Sequence, residues 1–173
     1  MAELKHVLAA AVTQLAQAGV PSPSADANIL LAHALGVERR DLARRVIVGY
    51  RLTDDETSRV AELLGRRAER VPLQHLTGTA GFRRIELLVG PGVFVPRVET
   101  EWVAGLAVEA AAALESPLVV DLCTGSGAIA LAVADEVPGA RVVAVEPGPP
   151  AGGGGPPHRG GRGARGGGGG GGR

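Results

Sequence analysis

The sequence is poor in several residue types, and each scarcity excludes a class of protein. Its single cysteine, Cys123, cannot form a disulfide within the chain, so a reducing, cytoplasmic compartment is expected. Aromatic residues make up 2% of the chain, which argues against binding nucleic acid by stacking bases on flat side chains. No apolar run reaches the ~18 residues of a membrane-spanning helix. The histidines show no metal-ligand spacing, so we predict neither membrane association nor a metal site.

Glycine and charge are unevenly distributed, although the formal net charge is zero. Of the 27 glycines, 14 lie in residues 151–173, which also carry four arginines and no acidic residue. Residues 147–173 have no apolar periodicity with which to bury a face, so we predict a disordered tail rich in glycine, arginine and proline. Its arginine–glycine spacing leaves open an alternative, an RNA-interacting segment.

Residues 1–74 are predicted to form a helical bundle. Apolar residues recur at spacings of three and four in the first helix, from about Glu3 to Ala18. A second helix is expected over residues 25–35 with Ser24 as its N-cap. Thr53 and Glu56 have the spacing of a capping box, in which a hydroxyl and a carboxylate satisfy free N–H groups at a helix start.

Residues 75–98 are predicted to be a β-hairpin linker. Two short extended runs, 84–89 and 93–95, are separated by the turn-forming residues 90–92. The remaining segment, 99–146, begins with an alanine-rich helix that ends before Pro117. This segment is predicted to be a partial α/β domain.

Within that domain, the order of elements is strand, glycine loop, helix and second strand. The apolar run 118–122 leads into the loop 123–127, and a helix is expected from Ala128 to Ala134. The second strand, from Arg141, ends in an acid. This order predicts one βαβ unit with parallel strands.

Two glycines and two acids are the candidate ligand-binding residues of this unit. Gly125 and Gly127 lack the Cβ atoms that would obstruct a tight turn or a ligand. Asp121 can hold loop amides or a cationic group, and Glu146 can accept both hydroxyls of a ribose, as acids about 20 residues beyond such loops do. The D-x-x-x-G-x-G spacing fits S-adenosylmethionine enzymes better than dinucleotide-binding proteins. A tight turn without ligand is the alternative.

The chain resembles the bacterial peptide chain release factor N5-glutamine methyltransferases, the HemK/PrmC family, in four segments. In order, they are DANILLAH at 26–33, RVPLQHLTG at 70–78, FVPRVETE at 94–101 and VVDLCTGSGAIALA at 119–132. Val98 stands where the family has proline, and Cys123 stands where it has glycine. The resemblance spans roughly residues 4–146.

The resemblance implies a helical domain that grips the release factor and an incomplete Rossmann-like methyltransferase domain, an α + α/β fold. The implied reaction methylates the glutamine side-chain amide in the Gly-Gly-Gln motif of release factors, and the protein is expected to be a monomer. Glu146 would hold the ribose of S-adenosylmethionine, and Pro96, Arg97 and Glu101 would border the site. The residues implied to line the methionine part of the cofactor are Cys123, Thr124, Gly125, Ser126 and Gly127.

The catalytic Asn-Pro-Pro-Tyr motif of the family is absent from this sequence. The chain has one asparagine, Asn28, and one tyrosine, Tyr50, both in the predicted helical domain. We therefore assign no catalytic residue and expect the chain as written to be inactive, with its family reading frame ending near residue 146. The alternative is a non-catalytic fragment that binds release factors.

Overall fold

A computed structural model of the protein describes residues 1–147. These residues form two units, Met1–Gly78 and a second unit that begins at Thr79. Each unit has hydrophobic core clusters of its own. Apart from Pro147, the predicted tail 147–173 and its alternative as an RNA-interacting segment lie outside the described residues.

The first unit is helical, as predicted. Its helices are α1 (Leu4–Gln17), α2 (Pro23–Ala34), α3 (Arg39–Ile47), α4 (Asp54–Ala68) and α5 (Leu73–Thr77). Their apolar stripes meet in one core. Its largest fully buried side chains are Leu4, Leu15, Leu30, Leu31, Leu42, Leu52 and Val60. The unit extends to Gly78, past the predicted boundary at residue 74, because α5 packs against α2 and α4.

The helix starts of this unit illustrate how local chemistry sets boundaries. The capping box is confirmed: Thr53 Oγ1 accepts a hydrogen bond from the Glu56 N–H at 3.2 Å, and Glu56 Oε2 accepts one from the Thr53 N–H at 2.9 Å. The predicted N-cap of α2, Ser24, is wrong, because Ser22 is the N-cap and Pro23 is the first helical residue. Proline suits that position, where its missing N–H would have no helical partner.

The second unit contains a hairpin and a partial α/β region. Its elements are β1 (Thr79–Phe82), β2 (Ile85–Leu88), α6 (Thr100–Ala112), β3 (Leu118–Leu122), α7 (Ala128–Glu136) and β4 (Arg141–Val145). β1 and β2 pair with each other antiparallel. β3 and β4 pair with each other parallel, and α7 connects them in the chain. The predicted βαβ unit is therefore confirmed. Within residues 1–147, the α/β region has these two parallel strands and no wider sheet.

The hairpin differs from the prediction in its strands and its turn. It consists of residues 79–82 and 85–88, and its turn lies at Arg83, whose φ is +50°. Residues 93–95 form no strand. The reason is burial: this register places Phe82 and Leu87 in the core, where they are 2% and 0% exposed.

The parallel sheet is covered on one of its two faces. Val119 of β3 and Val142 of β4 pack into a core cluster with α7. Side chains alternate between faces along each strand, so the intervening residues point the other way. We call this second face the open sheet face; its exposed apolar residues are Leu118, Val120, Leu122, Val143 and Val145.

Candidate functional site

The glycine loop lies where the two parallel strands end. It connects the end of β3 to the start of α7, and the Thr124 N–H donates a hydrogen bond to the Val145 carbonyl oxygen at 3.1 Å. The carboxyl ends of both strands are thereby joined at the same end of the sheet. In open α/β sheets, ligands bind at the carboxyl ends of the strands.

Asp121 is the residue that holds the loop in shape. Its Oδ2 accepts hydrogen bonds from Thr124 Oγ1 at 2.7 Å and from the Ala130 N–H at 3.2 Å. The N-cap of α7, Gly127, has no side chain with which to satisfy the first free N–H groups of the helix. The half-buried Asp121 carboxylate supplies that acceptor from the preceding strand, and its negative charge suits a helix N-terminus.

Three loop residues adopt left-handed backbone conformations. The φ angles of Cys123, Gly125 and Gly127 are +58°, +56° and +78°. A Cβ at Gly127 would lie 3.3 Å from Leu131 Cδ1, whereas a Cβ at Gly125 would meet no heavy atom within 4 Å. A side chain at position 127 would therefore crowd Leu131, whereas Gly125 faces open space in which a ligand can approach the backbone.

Glu146 follows β4 and reaches the same loop. Its Oε2 accepts a hydrogen bond from the Gly125 N–H at 2.8 Å. The side chain is exposed, so a ligand can also contact its carboxylate. The fold thus places an exposed carboxylate against the loop at the strand ends, where it can accept hydrogen bonds from the hydroxyl groups of a ligand.

The other predicted loop residues have less specific environments. Cys123 is an exposed free thiol, and Ser126 is half-buried. Both belong to the same turn as Gly125, so the fold brings the predicted loop residues together with Asp121 and Glu146.

The predicted site-border residues have structural contacts of their own. Glu101 Oε1 accepts a hydrogen bond from the Arg83 N–H at 3.2 Å, and the Glu101 carbonyl oxygen accepts one from Arg83 Nη1 at 3.1 Å. The Arg97 guanidinium carbon lies 5.8 Å from the centre of the Phe94 ring. Pro96 is half-buried. Glu101 therefore holds the hairpin turn to α6, and these contacts do not involve the glycine loop.

An ion pair that sequence reasoning missed supports α7. Arg83 Nε donates to Glu136 Oε1 at 2.5 Å, and Arg83 Nη2 donates to Glu136 Oε2 at 2.9 Å. The hydrogen bond from Arg83 holds the pKa of the Glu136 carboxyl below its usual value. This ion pair joins the hairpin to the end of α7, and α7 is the helix that follows the glycine loop. No sequence signal joins two residues so far apart in the chain.

Other possible sites lie elsewhere or are absent from the described part of the chain. An apolar groove of about 330 Å³ lies between the end of α6 and β3, away from the glycine loop. Across residues 1–147, no cluster of three or more histidine, cysteine or acidic side chains is placed to hold a metal ion. In the same residues, no helix is long and apolar enough to cross a membrane.

Comparison with known proteins agrees with this arrangement. A family model described as the PrmC N-terminal domain matches residues 6–78, which is nearly the whole helical unit. A protein of Streptomyces coelicolor named release factor glutamine methyltransferase is 54% identical over 142 residues, covering 80% of this chain and 48% of that protein. Proteins of the same name from Bifidobacterium longum and Mycolicibacterium smegmatis are 49% and 48% identical, over 84% and 87% of this chain.

The helical unit is therefore a PrmC-type N-terminal domain, followed by a partial α/β region. The chain belongs to the release factor glutamine methyltransferase family. It spans about half the length of the curated relatives that it matches, 48% to 52% of the three named here.

Proposed function

We propose that this chain carries the substrate-binding unit and the first half of the cofactor site of a protein-glutamine N5-methyltransferase acting on release factors. The observation that carries this proposal is the 2.8 Å hydrogen bond between the Gly125 N–H and Glu146 Oε2. It places an acid against a glycine loop at the carboxyl ends of parallel strands, where nucleotide-like ligands bind.

The residues of the loop fit part of S-adenosylmethionine. The exposed Glu146 carboxylate would accept hydrogen bonds from the two ribose hydroxyls. The open space in front of Gly125 would admit the methionine part along the loop, residues 123–127. Asp121 would act through the loop, because its Oδ2 is engaged by Thr124 and Ala130. When bound, S-adenosylmethionine supplies an electrophilic methyl group.

The chain lacks the groups that would aim an amide at that methyl group. An amide nitrogen is a poor nucleophile because its lone pair is delocalised, so catalysis depends on positioning and electrostatic contacts. The single asparagine, Asn28, uses its side chain to bond the Ser24 carbonyl oxygen within α2, at 2.8 Å. The single tyrosine, Tyr50, donates to Glu56 at 2.9 Å. Both belong to the helical unit, so the chain as written is proposed to be inactive.

The helical unit is the part proposed to bind the release factor. The methylated residue would be the glutamine in the Gly-Gly-Gln motif of that release factor. A non-catalytic release-factor-binding role is the second candidate. It is favoured by the hydrophobic core that residues 1–78 have of their own, separate from the glycine loop.

Two measurements on the full chain test the proposal. The first is methyl transfer from labelled S-adenosylmethionine to a bacterial release factor, with the Streptomyces coelicolor relative as positive control. We expect turnover from the relative and none from this chain. The second is release-factor binding without cofactor, which we expect to persist. Turnover by this chain would refute its inactivity, and loss of release-factor binding would refute the role of the helical unit.

Saturation-transfer NMR with S-adenosylmethionine tests the cofactor residues directly. We expect weak binding that Glu146→Ala abolishes and that Glu115→Ala leaves intact, since Glu115 is an exposed glutamate before β3. Equal binding by both variants would remove Glu146 from the site. Micromolar affinity would contradict a half-formed site.

A further inference from the structure

One side of α3 faces solvent with two charged and two apolar side chains. Positions 40, 44, 47 and 48 have the spacing that places residues on the same side of a helix. They are Arg40, Arg44, Ile47 and Val48, and all four are exposed. The opposite side of α3 carries Leu42, which is 1% exposed and belongs to the core of the helical unit. We call the four exposed residues the α3 stripe.

The apolar end of the stripe is unusual for this unit. Ile47 and Val48 are 83% and 76% exposed, and Met1 is the only other exposed large apolar side chain in residues 1–78. Helix formation does not account for the pair, because β-branched residues have a lower helix propensity than alanine. Burial within the unit does not account for it either. An apolar pair left in solvent by an otherwise well-buried unit indicates contact with another molecule.

The charged end of the stripe is available to a partner. Arg40 Nε lies 3.0 Å from Glu38 Oε2, and Arg44 Nη1 lies 3.4 Å from Asp41 Oδ1. The two arginine side chains are 73% and 79% exposed. Exposed ion pairs contribute little to stability, so a carboxylate of a partner can replace either acid at little cost. The stripe is about 12 Å long, because each residue of an α-helix rises about 1.5 Å.

The charge around the stripe selects the kind of partner. Residues 38–51 contain five arginines and two acidic residues, which is a net charge of +3. Arg45 is not part of the stripe, since its guanidinium carbon lies 4.6 Å from the centre of the Tyr50 ring. The positive excess favours a partner with carboxylates. The apolar end favours a protein over the backbone of a nucleic acid, which is bound mainly through its phosphate charges.

We propose that the α3 stripe is the surface through which the helical unit binds the release factor, and that it contacts an acidic segment of that protein. Carboxylates of the segment pair with Arg40 and Arg44, and an apolar side chain of the segment covers Ile47 and Val48. The inference rests on the proposed release-factor-binding role of the helical unit, and it is independent of cofactor binding and methyl transfer.

The experiment is isothermal titration calorimetry of the full 173-residue chain with a bacterial release factor, in the absence of cofactor. The charge variant is Arg44→Glu. Its matched control is Arg66→Glu, which makes the same charge change at an exposed arginine of α4. The apolar variant is Ile47→Gln/Val48→Gln, which leaves the net charge unchanged.

We expect the charge variant and the apolar variant each to bind about tenfold more weakly than wild type, and Arg66→Glu to bind within about twofold of it. Added salt should weaken wild-type binding more than binding by Arg44→Glu, because the variant has lost a charged contact.

Each other result has a distinct meaning. If wild type binds and both stripe variants bind equally well, the stripe is excluded while the role of the helical unit stands. If Arg66→Glu weakens binding as much as Arg44→Glu, overall charge and not the stripe is responsible. No binding by wild type would overturn the proposed role and this inference together. A dimer of the chain alone that the apolar variant dissociates would assign the stripe to a second copy and overturn the inference.

Hydrogen exchange decides the question if a stripe variant fails to fold. In the complex of wild type with the release factor, the amides of residues 44–52 should exchange more slowly than in the chain alone. Those of α4, residues 54–68, should change little. Unchanged exchange at 44–52 in a complex that forms would contradict docking on the α3 stripe.

Discussion

The Thr124 hydroxyl donates a 2.7 Å hydrogen bond to Asp121 Oδ2, and this contact joins the end of β3 to the glycine loop that follows it. The same oxygen also accepts from the Ala130 N–H in the first turn of α7. One carboxylate therefore fixes strand, loop and helix in a single arrangement. The loop held in this way presents the Gly125 N–H to the exposed Glu146, whose Oε2 accepts a hydrogen bond from it at 2.8 Å.

Replacing Asp121 should destabilise the second unit. Asp121→Ala leaves the Thr124 hydroxyl and the Ala130 N–H without their acceptor, and we expect a loss of about 2–3 kcal/mol in unfolding free energy. Asp135→Ala, at an exposed aspartate on α7, is the matched control and should cost no more than about 0.5 kcal/mol. Urea unfolding followed by circular dichroism measures both. Equal effects would mean that Asp121 does not hold the loop.

The two loop glycines should respond differently to alanine. Both have positive φ, so each substitution carries backbone strain of about 1–2 kcal/mol. Gly127→Ala additionally places a Cβ 3.3 Å from Leu131 Cδ1, whereas Gly125→Ala meets nothing within 4 Å. Gly127→Ala should therefore lower the urea midpoint more than Gly125→Ala does. The reverse order would contradict the packing role assigned to Gly127.

In the helical unit, the ion pair between Asp26 and Arg67 is expected to contribute more to the free energy of unfolding than the exposed pair between Asp55 and Arg59. Asp26 Oδ2 accepts from Arg67 Nε at 2.7 Å, and their side chains are 10% and 13% exposed. Asp26→Asn should cost about 3 kcal/mol, because it leaves a largely buried guanidinium without its charge partner. Asp55→Asn breaks the exposed pair with Arg59 and should cost less than about 1 kcal/mol. Thermal unfolding of the two variants compares them, and similar melting temperatures would refute this ranking.

The Arg83–Glu136 pair should make stability depend on pH. Hydrogen bonding by Arg83 lowers the pKa of the Glu136 carboxyl from its ordinary value of 4.5. A depressed native pKa adds stability above the unfolded pKa, and that stability is lost as the pH falls through the native pKa. The difference in unfolding free energy between wild type and Glu136→Gln should be constant near neutral pH and shrink below pH 4.5.

The matching control for this pH effect removes its cause. In an Arg83→Gln background, the additional change Glu136→Gln should produce a much smaller pH-dependent difference. Urea unfolding at a series of pH values measures both pairs of proteins. A difference that is independent of pH in the wild-type background, or unaltered by Arg83→Gln, would exclude the ion pair as its source.

Elements defined by neighbouring residues were predictable from the sequence. The capping box needs only Thr53 and Glu56, and the βαβ unit follows from apolar strands, a glycine loop and a helical stretch in order. The hairpin was harder, because residues 79–82 and 93–95 are both compatible with an extended strand. Burial of Phe82 against the core selected the first.

The glycine loop and its flanking acids follow from residue order, since the chemistry of a turn and of a helix start is local. The partner of Glu136 does not, because Arg83 lies 53 residues earlier and meets it only when the hairpin packs against α7. Packing within residues 1–147 covers one face of the parallel sheet and leaves the apolar side chains of the open sheet face exposed. Which long-range surfaces meet depends on the packing of whole elements, and no short segment of sequence carries that information.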